Sequence, residues 1–73
     1  MIQSILFKSP AYNIKEAIQW LKLRNHSYKK VHITKNYLRF RQISPSKLKE
    51  NGYSHYFNKV IDNGNIIIVE CYK

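Results

Sequence analysis

Residues 30–43, KVHITKNYLRFRQI, alternate apolar and polar side chains on both sides of Lys35-Asn36. Strand side chains point to opposite faces in turn, so this pattern, broken by two turn-forming residues, specifies a β-hairpin. With Lys35 and Asn36 as the loop, the cross-strand pairs are Thr34–Tyr37, Ile33–Leu38, His32–Arg39, Val31–Phe40 and Lys30–Arg41. One face then holds Val31, Ile33, Leu38 and Phe40 and is wholly apolar. The other holds Lys30, His32, Thr34, Tyr37, Arg39 and Arg41. A slip of one residue would mix the two sets, which is what ties the hairpin to this register.

The apolar face needs a cover, and NIKEAIQWLKLRN supplies one. Ile14, Ala17, Ile18 and Leu21 follow the i, i+3, i+4, i+7 spacing of a helical stripe expected to meet the sheet. Asn13 with Glu16 three residues on reads as a capping box. Arg24 suits the C-terminal dipole, and Asn25 tolerates the left-handed conformation that ends many helices. Lys15, Gln19, Lys22 and His26 are expected to face water, and Trp20, at the border of the stripe, to join the core. Upstream, IQSILFKS reads as a strand stopped by Pro10. Downstream, SPSKLKENG reads as one short helical turn begun by Ser44-Pro45 and ended by Gly52. YSHYFNKVI and NIIIVECYK flank Asp62-Asn63-Gly64, a second hairpin in which Gly64 supplies a positive φ. Ile66 to Val69 are apolar without alternation, as in a strand buried on both faces near a sheet centre.

The expected fold is therefore α+β: one long helix on a mainly antiparallel sheet, in the order β-α-β-β-(short helix)-β-β. Residues 1–73 make a single small domain, close to the size below which chains struggle to bury a sufficient core. The lone cysteine, Cys71, excludes an intramolecular disulfide, so a reducing setting is expected. Met1 is followed by IQSILFKSP, with no basic region and too short an apolar run for a secretory leader. No stretch approaches the roughly 18 apolar residues of a membrane span.

Thirteen Lys and Arg stand against four Asp and Glu, a net charge of +9. On so small a body this raises a potential of several kT and favours polyanionic partners. The polar hairpin face concentrates that charge. Lys30 faces Arg41 and His32 faces Arg39, and like charges opposite one another cost tenths of a kcal/mol per pair. A phosphate would relieve the repulsion through the forked guanidinium of Arg39 or Arg41, with Lys30 as a point charge. Tyr37 offers a ring for base stacking. Lys30, His32, Tyr37, Arg39 and Arg41 are thus the candidate nucleic-acid or anion-binding residues. Two other readings stand beside this one: a solvated face that guards a sheet edge, and arginines paired internally with Glu50, Glu70 or Asp62.

Catalytic and metal chemistry find little footing. His26, His32 and His55 lack metal-ligand spacing, Cys71 has no companion thiol, and the four carboxylates are scattered. No glycine-rich phosphate loop occurs. Neither an enzyme nor a cofactor is expected. Whether His55, Phe57 and Lys59 or Tyr56 and Asn58 extend the basic face depends on a strand order that periodicity does not give.

The stretch IKEAIQWLKLRNHSYKKVHITKNYLRFRQISP resembles a small uncharacterised domain encoded by tailed phages and giant DNA viruses. That domain joins an xxxAxxWLKxH helix to a KVxxTxNYxRFRQ hairpin, with a DNG-like turn before the last apolar strand. The match runs through Ala17, Trp20, Leu21, Lys22, Lys30, Val31, Thr34, Asn36, Tyr37, Arg39, Phe40, Arg41 and Gln42. This chain departs from it at His32 and Lys35, near where acidic residues are frequent before the NY, and at Asn25-His26-Ser27 in place of a glycine near the helix end. The resemblance implies a viral protein without an assigned activity, within a host cell or a virion. It also implies that the arginines belong to a shared scaffold and could serve an internal salt bridge.

The function expected is a basic viral accessory module that contacts DNA or RNA through the Lys30, His32, Tyr37, Arg39 and Arg41 face. The alternative is an interaction or assembly protein that docks on an acidic viral or host protein, with an exposed apolar patch around Trp20, Leu23 or Tyr53. No membrane partner is expected.

Overall fold

A computed structural model describes residues 1–73. Strand β1 spans Ile2–Lys8, helix α1 Ile14–Leu23, β2 Val31–Ile33, β3 Tyr37–Arg41, α2 Pro45–Glu50, β4 His55–Ile61 and β5 Ile66–Tyr72. The strands form one sheet in the order β2-β3-β1-β5-β4, every neighbouring pair antiparallel. The fold is α+β, as the patterning predicts.

Local chemistry accounts for the element ends. Asn13 and Glu16 close a capping box at the start of α1, which satisfies two donors the first turn would leave open. At the other end His26 N–H donates to the Leu21 carbonyl and Asn25 N–H to the Lys22 carbonyl. Asn25 sits at φ 59°. These two bonds and the left-handed residue make a Schellman stop. Ser44 caps α2 by accepting from the Lys47 N–H, and Pro45 follows where its missing donor costs nothing. In the β4–β5 loop Asp62, Asn63 and Gly64 all take positive φ, at 53°, 55° and 87°.

The core is one cluster of Ile5, Phe7, Ala17, Leu21, Leu38, Phe40 and Ile66. Phe7 is its hub, with edge-on contacts to Tyr12, Trp20 and Phe40 at ring-centroid distances of 5.3, 5.5 and 5.7 Å. Such pairs add about 0.5–1.5 kcal/mol each beyond simple burial. Trp20 joins the core through this contact, while its indole also carries the Arg24 guanidinium at 4.0 Å.

Several expectations need correction. Val31 and Ile33 do lie on the helix-facing side, but they are exposed at 38% and 63% instead of covered by the stripe. The cause is width. A helix about 10–12 Å across spans two to three strands spaced about 4.8 Å apart. The buried cluster accordingly draws only on β1, β3 and β5 of the sheet; β2 stays bare, and β4 adds only the partly buried Ile61. Ile14 lies outside the cluster, 41% exposed in the first turn of α1. His26 does not face water from the helix; the chain leaves α1 before it, and its ring stacks on Trp20. The strand buried on both faces is β1, where Ser4, Ile5 and Phe7 are wholly buried. In β5 only Ile66 and Cys71 are buried, and Ile67, Ile68 and Val69 are half-buried.

Candidate nucleic-acid interface

The hairpin adopts the register set by its alternation: Val31 pairs with Phe40, His32 with Arg39 and Ile33 with Leu38. Arg41 N–H donates to the Lys30 carbonyl at 3.2 Å, so the pairing continues past the strand end. At the loop, Thr34 N–H donates to the Tyr37 carbonyl, and Tyr37 N–H donates to Thr34 Oγ1. Paired residues share a face. His32, Arg39 and Arg41 therefore lie on the side of the sheet turned away from α1, where β1 continues the row with Leu6 beside Arg39 and Ser4 beside Arg41.

On this side the surface hollows into an open concavity of about 700 Å³. Lys29, Lys30, His32, Arg39 and Arg41 line it, together with Gln3, Val31, Thr34 and Pro45. All five basic residues are exposed, and no carboxylate reaches the lining. Four of the five candidate residues thus converge. Tyr37 does not line the concavity; it is half-buried beside Lys8, nearer the hairpin loop.

Two uncharged amides hold the cations in place. A bulge in β1 between Ile2 and Ser4 buries Gln3 on the Arg39 side of the sheet. Its Nε2 donates to the Ile43 carbonyl at 3.1 Å, and its Oε1 accepts from Arg39 at 3.1 Å and from the Ser4 hydroxyl. Gln42 pins the segment that carries the lysines: its Oε1 accepts from Ser27 N–H and its Nε2 donates to the Ser27 carbonyl, both at 2.8 Å. Neither amide neutralises charge.

Three of the four acids are engaged elsewhere. Glu16 belongs to the α1 capping box. Asp62 accepts from the Tyr12 hydroxyl, a hydrogen bond that pushes the Tyr12 pKa above its usual 10.0, with help from burial. Glu70 accepts from the Tyr72 hydroxyl and raises that pKa in the same way. The only side-chain acceptor on Arg39 is neutral, so its internal salt bridge to Glu50, Asp62 or Glu70 is not formed.

Strand order settles the remaining placements. Tyr56 and Asn58 share the Arg39 side, whereas His55, Phe57 and Lys59 share the α1 side. Neither set extends the cationic patch, because β4 is the edge opposite β2. Of the apolar residues considered for protein docking, Leu23 is 74% exposed, while Trp20 and Tyr53 are half-buried. Lys29 is the residue that strand periodicity missed, since it precedes β2; the doubled lysine in SYKKV is its signal. It also borders a second, shallower hollow with Lys22, His26 and Tyr28, where Lys22 Nζ lies 5.1 Å from the Tyr28 ring centre. Gln3 carries no sequence signal without knowledge of the bulge. No group of three or more His, Cys, Asp or Glu is gathered to hold a metal ion, and no helix is long and apolar enough to cross a membrane.

Comparison with protein-family models, with curated proteins and with solved structures found no match in any of the three.

Proposed function

We propose that this chain is a basic viral accessory module that binds nucleic acid, chiefly through phosphates, at the concavity lined by Lys29, Lys30, His32, Arg39 and Arg41. One observation carries the reading: these side chains surround a single hollow that no carboxylate enters. A surface that needed charge only for solubility would gain by interspersing acids, which lowers self-repulsion. Here the repulsion between facing strands is left standing, and a phosphate is the group that offsets it.

The open face of a sheet is also where several RNA-binding modules meet single strands. Tyr37, half-buried and off the rim, contributes less than the arginines in this reading. The viral assignment rests on the resemblance of the WLK helix and the NYLRFRQ hairpin, and it sets the protein in a host-cell interior or a virion. Docking on an acidic viral or host protein would use the same cations.

The test is fluorescence anisotropy with labelled single- and double-stranded oligonucleotides at low salt, beside a polyglutamate peptide of equal charge. Binding of an oligonucleotide that the peptide fails to match supports the proposal. No oligonucleotide binding at low salt, or tighter binding to the peptide, overturns it.

A further inference from the structure

The two edges of the sheet are built differently. β2 is three residues long and flanked by Lys30 and Lys35, and short charged edges resist pairing with other chains. β4 is seven residues long, pairs with β5 without a register break, and contains no proline, no acid and one charge, Lys59. Tyr56, Phe57 and Val60 on it are exposed at 49%, 48% and 58%. In a chain of net charge +9, this is a long, nearly neutral, apolar strand with one free edge.

From this contrast we infer that β4 pairs with β4 of a second copy of this chain, antiparallel about a two-fold axis at Asn58, to make one continuous ten-stranded sheet.

The strand is self-complementary in one register, which charge selects. A two-fold centred on Lys59 would set the two lysines face to face, and one centred on Phe57 would set Lys59 opposite His55. Centred on Asn58, the pairs are Asn58 with Asn58, Phe57 with Lys59, Tyr56 with Val60 and His55 with Ile61. Tyr56 and Val60 lie on the Arg39 side of β4, so that side gains two aromatic–aliphatic pairs flanking an amide pair. Phe57 and Lys59 lie on the α1 side, where each ammonium meets a ring. The only charge on the strand is thereby matched to an aromatic. Such an isologous contact closes on itself and leaves β4 no free edge. The cationic concavities sit at the far edges of both copies, about 40 Å apart across nine strand spacings, so their mutual repulsion is small.

Sedimentation equilibrium of nuclease-treated protein over a wide concentration range tests this without any nucleic acid. The wild-type mass rises from 8.8 kDa toward twice that value. Tyr56→Lys/Val60→Lys, which sets like charges across that pair, stays at the monomer mass, and Tyr56→Glu/Val60→Lys, which sets opposite charges there, regains the dimer. Oxidation of Asn58→Cys gives a disulfide-linked dimer, whereas Asn51→Cys, an exposed position outside β4, does not. This arm keeps the test decisive if Tyr56→Lys/Val60→Lys fails to fold. A wild-type protein that stays monomeric, with no Asn58→Cys cross-link, overturns the inference. So does a dimer that Tyr56→Lys/Val60→Lys leaves intact and Asn58→Cys fails to trap.

Discussion

Arg39 donates to the side-chain oxygen of Gln3 at 3.1 Å, and Gln3 is buried and held in turn by the Ile43 carbonyl. A neutral amide thus orients a cation without cancelling it. A carboxylate in the same place would pair with Arg39 and remove its charge from the concavity, while giving up the donor to the Ile43 carbonyl. Gln3→Glu should therefore lower stability by about 1–3 kcal/mol and, in the protein that stays folded by circular dichroism, weaken oligonucleotide binding several-fold. The salt slope should fall by about one phosphate equivalent.

Lys29 and Tyr37 should not contribute equally to binding. Lys29 lines the concavity and Tyr37 does not, although the alternating pattern favours Tyr37. In parallel titrations Lys29→Ala should lose more affinity than Tyr37→Ala. The reverse order would move the contact surface toward the hairpin loop.

Gln42 exchanges two hydrogen bonds with the Ser27 backbone, and these tether the segment leading to Lys29 and Lys30. Ser27 is exposed, so Gln42→Leu hands its backbone groups to water, at a cost of about 0.5–1.5 kcal/mol. Urea denaturation should register the loss, and hydrogen exchange should show faster exchange around Ser27 than around Phe40.

Phe40 and Ile33 occupy the same face of one hairpin with different surroundings: Phe40 is fully buried under α1, and Ile33 is 63% exposed on the edge. Phe40→Ala should cost about 3–5 kcal/mol, enough to unfold a marginal small domain. Ile33→Thr should stay within about 0.5 kcal/mol, as surface changes do. Thermal melts of the two variants decide this.

Tyr12 and Asp62 tie the start of the α1 segment to the β4–β5 loop. The hydrogen bond raises the Tyr12 pKa in the folded state above the 10.0 expected when unfolded. Stability from this pair is therefore fully present below pH 10 and lost as pH rises through the folded value. Ultraviolet titration of tyrosine should show one group moving back toward 10.0 in Asp62→Asn.

Much of this was legible in the residues, and the exceptions share a cause. The capping box at Asn13, the left-handed stop at Asn25, the caps around α2 and the hairpin register all depend on neighbours within a few positions, which sequence displays directly. Strand order depends on β1 inserting between β3 and β5, a long-range choice that periodicity does not encode. The exposure of Val31 and Ile33 follows from the width of one helix against five strands, a geometric limit that apolar alternation conceals. Within the concavity, the hairpin cations were readable, whereas Gln3 entered through a bulge that no turn residue announces.

In the proposed function Arg39 and Arg41 hold phosphates in an acid-free hollow. The most direct measurement is the dependence of log affinity on log salt concentration for wild type and Arg39→Ala/Arg41→Ala, with a labelled oligonucleotide. Loss of two phosphate contacts should reduce the slope by about 1.4 for a single strand or 1.8 for a duplex, with the fold intact by circular dichroism. Equal slopes for a folded double variant and the wild type would contradict the account.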